Sequence, residues 1–320
     1  MTQRKIKSVA VVGTGTIGAS WALLFTTHGL EARLYDDQAG ATARAESFIE
    51  NSMRALIEAG HLTQAEATTA RGRLIKVDNL EAALNGADFV QEAAYESYEV
   101  KRPLFQRLDA LCPPEILLAS SSSGLLMSEI QAGLTHPERC LIAHPFNPPH
   151  LIPLVELVSG GRTEFETLEQ AREFYLSVGK IPIILHKEVT GHIVNRLQAA
   201  LWREAIDLAI NGVASVKDID LAVSAGPGLR WALMGQHMVY HLNGGPGGIA
   251  NFLDQLGPAF ESWCRDLATW TELPLNARQV LIEGLNEALA GRTFEEMRDW
   301  RDEYLLKLIN LLHRSQGGTE

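Results

Sequence analysis

The chain has 320 residues, more than one hydrophobic core usually organises, so two domains of ordinary size are expected. With 46% hydrophobic and 21% charged residues it buries enough apolar surface to offset its ordering entropy, which excludes global disorder. The net charge is −11, with the acids spread along the chain and no basic stripe, which speaks against a nucleic-acid or membrane-surface binder.

The apolar run near the N-terminus is shorter than a signal segment or a membrane span, so a soluble, cytoplasmic protein is expected. Strands are predicted over residues 6–12, 32–35, 89–92, 116–120, 140–143, 154–158 and 181–185, with helices over 18–28 and 38–59 between them. This alternation is the pattern of an α/β domain with a mostly parallel sheet, reaching to about residue 187. From residue 188 to 320 the period becomes helical. Ile193, Val194, Leu197, Leu201, Ala205 and Leu208 mark one helix, stopped by Asn211-Gly212. Ser215 with Asp218, and Thr293 with Glu296, are capping-box offsets that start further helices. The last of these carries Met297, Trp300, Tyr304, Leu305, Leu308 and Leu312 on one face, and residues 316–320 are expected to fray. Cys112, Cys140 and Cys264 form no CxxC pair and no metal-type spacing, so buried thiols and no metal are expected.

Gly13-Thr14-Gly15-Thr16-Ile17-Gly18 is a GxGxxG directly after a predicted strand and directly before a helix. In that place the first glycine permits the tight turn, the second lets a pyrophosphate approach the backbone, and the third lets helix pack on strand. Asp36 ends the next predicted strand, 21 residues beyond Gly15, where its carboxylate can accept from a ribose diol. Asp36 followed by Asp37 repels a ribose phosphate, so a Rossmann-like domain with NAD as cofactor is expected.

Oxidising an alcohol needs a base for the hydroxyl proton and donors for the oxygen. His144, expected just past the strand over 140–143, lies where open α/β sheets bind ligands, and histidine titrates near working pH. Glu156 is the only charged group in Pro153-Leu154-Val155-Glu156-Leu157-Val158, and pairing with an imidazole would offset its burial. The other reading is a surface glutamate and a loop histidine.

Ser120-Ser121-Ser122-Ser123-Gly124, Ala143-His144-Pro145-Phe146-Asn147-Pro148, the strand around Glu156, and Lys187 to Arg196 in the form K-x-x-x-G-[FH]-x-x-N-R together resemble the 3-hydroxyacyl-CoA dehydrogenase family over essentially the whole chain. The resemblance implies His144 as catalytic base, Glu156 as its partner, and Ser123 and Asn195 as groups that bind the substrate oxygen. It further implies NAD contacts from Gly13, Gly15, Thr16, Ile17, Gly18, Asp36, Glu96, Lys101, Ser123 and Asn147. Taken alone, Ser123 could instead cap a helix near Leu125, Asn195 bridge two helices, and Glu96 and Lys101 form a solvated helix pair. The family's Glu-Ala-x-Pro-Glu is replaced here by Glu92-Ala93-Ala94-Tyr95-Glu96.

The stretch from Gly226 to Gly235, the Ser-rich loop and Trp300-Arg301-Asp302-Glu303 resemble the L-gulonate 3-dehydrogenase branch, which includes lambda-crystallin, and the first is also similar to L-carnitine dehydrogenases. The resemblance implies oxidation of a small L-3-hydroxy acid, with L-gulonate first, and L-carnitine or a short-chain 3-hydroxyacyl-CoA as alternatives. A crystallin-like structural role with little turnover is the reading from another class. Arg230 is the candidate fork for a substrate carboxylate, or else an interface or helix-end cation, and Trp202, Trp231 and Tyr240 are available for a trimethylammonium group, or else are core residues. The resemblance implies a homodimer, for which the late apolar stripes offer a face, or else those stripes are intradomain core.

Overall fold

The structure, a computed structural model, describes residues 5–316, with side chains described to Leu312. The chain divides into two compact units, Met1–Arg196 and Leu197–Glu320. Strands β1 (Ser8–Val12), β2 (Glu31–Tyr35), β3 (Leu74–Lys76), β4 (Phe89–Glu92), β5 (Leu117–Ser120), β6 (Cys140–Pro145), β7 (Leu154–Ser159) and β8 (Ile181–Leu185) form one sheet in the order β3-β2-β1-β4-β5-β6-β7-β8. Neighbours run parallel except β6 and β7. Helices α1 (Thr16–Thr27), α2 (Ala41–Glu58), α3 (Gln64–Arg71), α4 (Leu80–Leu84), α5 (Tyr98–Leu111), α6 (Met127–Ile130) and α7 (Phe165–Ser177) complete this unit, and α8 (Val194–Ile210) begins in it.

Both faces of the sheet are covered, which is why its strands read as continuous apolar runs. Side chains alternate along β1: Val9 and Val11 join a cluster with Trp21, Phe25, Phe89 and Tyr175, while Ala10 and Val12 join Leu80, Phe105 and Leu118 on the other face. Neighbour order reverses at β1 and β4, and the crevice at their carboxyl ends is where open α/β sheets hold ligands.

Two of the strand expectations are corrected. Strand β3 is not among the predicted strands, because two half-buried residues and an exposed lysine carry too little apolar pattern. The strand predicted over 140–143 continues to Pro145, since β7 pairs with it antiparallel and brings Glu156 opposite His144 and Val155 opposite Pro145. His144 therefore sits within the strand, not beyond it.

The second unit is helical: α9 (Val216–Ala225), α10 (Pro227–Trp231), α11 (Gln236–Asn243), α12 (Gly248–Asp266), α13 (Ala277–Leu289) and α14 (Phe294–Gln316) follow α8. Ser215 caps α9 by accepting from the Asp218 N–H at 3.0 Å, and the Thr293–Glu296 box opens α14 as its sequence implies. The Trp270 indole donates to Asp207 at 3.0 Å and the Ala268 N–H to Glu204 at 2.9 Å, tying the segment after α12 back to α8. Gln316 ends α14, and the other residues expected to fray, 317–320, lie outside the described residues.

Burial pushes the Cys112 thiol up to about 11 and the Cys140 thiol up to about 12. Cys264, against expectation, is exposed on α12. Among the described residues no helix is long and apolar enough to cross a membrane.

A polar chain crosses the core of the first unit. The Tyr175 hydroxyl donates to Gln91 Oε1 at 2.5 Å, Gln91 Nε2 to Ser121 Oγ at 2.9 Å, and Trp21 Nε1 to the same Ser121 oxygen at 3.1 Å. Tyr175→Phe leaves Gln91 Oε1 buried without its donor, and urea denaturation is expected to show a loss of about 1–3 kcal/mol. An unchanged midpoint would show that Gln91 finds another donor.

Candidate active site

Gly13 follows β1 with φ +89, and a Cβ there would lie 2.6 Å from the backbone of Ala93 and Ala94, which follow β4. A Cβ on Gly18 would meet the Gly13 carbonyl oxygen at 1.9 Å, so the helix can lie this close to the loop only as glycine. Gly15 is different: its Cβ would meet nothing within 4 Å, which leaves open room above the N-terminus of α1. The N–H groups of Thr16 and Ile17 open that helix, and a pyrophosphate fits such a cradle.

Asp36 Oδ2 accepts from the Thr14 N–H at 2.6 Å and the Thr14 hydroxyl at 3.1 Å, and Oδ1 accepts from the Gln38 N–H at 2.9 Å. The carboxylate is thus fixed at the rim with lone pairs left for a diol. Loop and carboxylate line one cavity of about 1010 Å³, shared with Asp37, Arg44, Tyr95 and Arg107. Sequence reasoning missed Arg44 and Arg107, which come from helices with no motif to announce them. The donor set and the open space fit NAD.

On the far side of β5, His144 and Glu156 face each other across the β6–β7 pair. His144 Nδ1 is 2.8 Å from Glu156 Oε2, and Glu156 Oε1 accepts from the backbone N–H groups of Ile193 at 2.9 Å and Val194 at 3.1 Å. Both side chains are buried, which rules out the reading of a surface glutamate and a loop histidine. Burial pushes the Glu156 carboxyl up, but the bond to His144 and the two N–H groups outweigh it and hold it below the usual carboxylate range. A carboxylate acceptor on Nδ1 makes that nitrogen the donor and leaves Nε2 with the lone pair of a base. Phe146 packs edge-on against the imidazole, ring centres 4.7 Å apart.

Ser123 and Asn195 are brought together: Asn195 Nδ2 donates to the Ser123 carbonyl oxygen at 2.7 Å, and both belong to the first unit. Ser123 does not cap the helix near Leu125, since it is Ser122 whose hydroxyl accepts from the Leu125 N–H at 3.0 Å. Glu96 Oε1 accepts from the Ser122 hydroxyl at 2.7 Å and from the N–H groups of Ser123 at 2.8 Å and Gly124 at 3.0 Å.

Lys101 is only 1% exposed, so it forms no solvated pair with Glu96. Its Nζ lies 2.6 Å from Glu92 Oε1, 3.2 Å from the Ala94 carbonyl oxygen and 3.6 Å from Glu96 Oε2, which engages its donors within the protein. Lys101 thus steadies Glu96 and the turn after β4. The buried partners Glu92 and Ser120, hydrogen-bonded to each other, stand in the quoted motif stretches but were given no role there.

Asn147 is exposed on the turn between β6 and β7, and Tyr95 is 78% exposed beside the nucleotide cavity. Lys180, which carried no sequence signal, donates to the Pro149 carbonyl at 2.8 Å and so holds that same turn. Burial lowers its pKa to about 7. Arg230 is exposed on α10 of the second unit. Among the described residues no group of three or more His, Cys, Asp or Glu could hold a metal.

Residues 8–189 match the family model "3-hydroxyacyl-CoA dehydrogenase, NAD binding domain", and residues 191–281 match "3-hydroxyacyl-CoA dehydrogenase, C-terminal domain". The chain is 41% identical over 310 residues to an L-carnitine dehydrogenase of Streptomyces coelicolor, covering 97% of this chain and 96% of that protein. It is 39% identical over 317 residues to an L-carnitine dehydrogenase of Pseudomonas aeruginosa, covering 98% and 96%. Among solved structures it is similar to an NAD+-dependent dismutase, a 5-formyl-3-hydroxy-2-methylpyridine 4-carboxylic acid 5-dehydrogenase, with TM-score 0.80 and 28% identity over 99% of this chain and 100% of that one. It also resembles Escherichia coli 3-hydroxybutyryl-CoA dehydrogenase, with TM-score 0.68 and 34% identity over 88% of this chain and 57% of that one.

The state of Glu156 sets an acid dependence of stability. A carboxyl held low in the folded state contributes stability that is complete above its unfolded value, about 4.3, and is lost as pH falls through the folded value. Thermal melts of wild type and Glu156→Gln between about pH 6 and pH 2 are expected to show a shallower acid decline in the variant. Parallel curves would mean that Glu156 carries no such linkage.

Proposed function

We propose that this chain, which belongs to the 3-hydroxyacyl-CoA dehydrogenase family and takes NAD as its cofactor, oxidises the 3-hydroxyl of L-carnitine to the ketone. One observation carries the chemistry: a buried imidazole whose Nδ1 is committed to a carboxylate, so that Nε2 serves as the base. His144 takes the hydroxyl proton at Nε2. Glu156 holds the ring in place and stabilises the imidazolium that forms. Ser123, seated on the Glu96-anchored loop, and Asn195 bind the reacting oxygen. Bound NAD supplies the acceptor for the hydride released from the carbinol carbon.

The substrate follows from the relatives. Proteins sharing 37% to 41% identity over nearly the whole chain bear the name L-carnitine dehydrogenase, which favours that acid over L-gulonate. The gulonate resemblance rested on short stretches, chiefly in the second unit. A carnitine has a carboxylate for a guanidinium and a trimethylammonium for aromatic faces. Arg230 is the proposed fork. Trp202 and Trp231 present exposed rings in the second unit, whereas Tyr240 is stacked on Phe252 at 4.6 Å between ring centres. Exposed Leu221, Leu233, Phe260 and Trp263 on that unit support a homodimer as part of the same proposal.

A nicotinamide absorbance assay with L-carnitine, L-gulonate and 3-hydroxybutyryl-CoA is expected to give the highest kcat/KM with L-carnitine. Preference for either other substrate would overturn the assignment, and silence on all three would overturn the reaction. His144→Ala is expected to lower turnover by roughly 10² to 10⁴ with NAD affinity retained. Sedimentation in dilute solution is expected to give twice the chain mass, and a monomer would remove the dimer from the reading.

A further inference from the structure

His192 enters none of the roles above, yet no part of it is exposed. It follows Gly191 in a turn where both residues have positive φ, +77 and +50, and which leads directly into α8. Histidine tolerates this left-handed region better than most large side chains. The ring lies beside that of His144, with centres 5.3 Å apart and planes tilted by 50°.

Its Nε2 is 3.2 Å from the Ser122 carbonyl oxygen, which can only accept, so the proton sits on Nε2 and Nδ1 is a bare acceptor. That Nδ1 is buried and has no hydrogen-bond partner. An unmatched buried acceptor is unfavourable, and an apolar ring of similar size would avoid the cost. The feature that distinguishes histidine from such a ring here is the Nε2–H bond to Ser122.

Ser122, Ser123 and Gly124 are gripped from two sides. Glu96 takes the Ser122 hydroxyl and the N–H groups of Ser123 and Gly124. The segment before α8 takes the carbonyls: Ser122 by His192, Ser123 by Asn195, and Gly124 by the Gly191 N–H at 3.4 Å. We infer that His192 is a positioning residue for the reaction, fixing the Ser122 carbonyl and through it the adjacent Ser123 from its place beside the ring of His144. Burial lowers the pKa of His192 more than its bond to Ser122 raises it, and the proximity of His144 lowers it further. The imidazolium that forms on His144 therefore meets no second cation.

This inference rests on the proposed roles of His144 and Ser123. Its test uses the full chain with NAD and the variants His192→Phe, which keeps ring volume and loses the donor, and His192→Gln, whose amide nitrogen lies near the place of Nε2. Steady-state kinetics with L-carnitine is read together with hydrogen exchange of the peptide spanning residues 120–126. For the Phe variant kcat is expected to fall by on the order of 10², as for a misplaced reacting group, with KM for NAD and the thermal midpoint held. Exchange over 120–126 is expected to quicken, and the Gln variant to recover most of both losses. His192→Asn, at ease with φ +50 but too short to reach Ser122, makes the same distinction if the Phe variant fails to fold.

Wild-type kcat and wild-type exchange in the variants lacking the donor would overturn the inference. So would equal impairment of Phe and Gln variants with a lowered thermal midpoint, which would mark a space-filling ring. If wild type turns over none of the three substrates, the function reading fails by itself. Exchange then still decides the hold of His192 on the loop: unchanged exchange refutes it, and loss restored by Gln supports it.

Discussion

The site depends on one buried carboxylate. Glu156 has no exposure to solvent, and an isolated charge there would be costly. Its cost is offset because both oxygens are used: one accepts from His144, the other from two backbone N–H groups at the entry to α8. The same atoms that neutralise the burial penalty select the imidazole tautomer and anchor the chain as it leaves the sheet. Removing the carboxylate would therefore loosen a strand pair, a helix start and a base together.

A second carboxylate network works at the ends of β4 and β5. Glu92 and Glu96 share the ammonium of Lys101, and Glu96 collects three donors from the serine loop. A buried ion pair of this kind is weak support for stability, but it fixes geometry when all its donors and acceptors are engaged. Here it joins the turn after β4, which presses on Gly13 of the nucleotide loop, to the serine loop after β5. Cofactor cradle and substrate-oxygen loop are consequently held by one set of charges.

The α/β reading was legible because strands covered on both faces are continuous apolar runs, and the glycine loop because its backbone tolerates side chains at neither Gly13 nor Gly18. The His144–Glu156 pair was suggested by a lone charge in an apolar strand, but only the motifs around the two residues favoured it over a surface glutamate and a loop histidine. Strand β3 was not legible, being two half-buried residues and an exposed lysine on the sheet edge. Nor were the contacts of Lys180 and His192: each is a single polar residue whose partners lie 28 or more residues off in sequence, so no spacing announces them. Lys101 shows the limit most clearly, since a helix lysine five residues after a glutamate reads as solvated, yet it is buried beneath the site.

The sequence by itself determined where apolar faces, glycines and caps must fall, because these follow from local period and backbone sterics. Only the tertiary structure decided that β7 runs against β6, so that residues twelve apart become cross-strand partners, and that His192 meets a carbonyl seventy residues earlier in the chain. Hydrogen bonds and burial depend on which distant segments share a place, and that is a property of the packed chain rather than of any window along it.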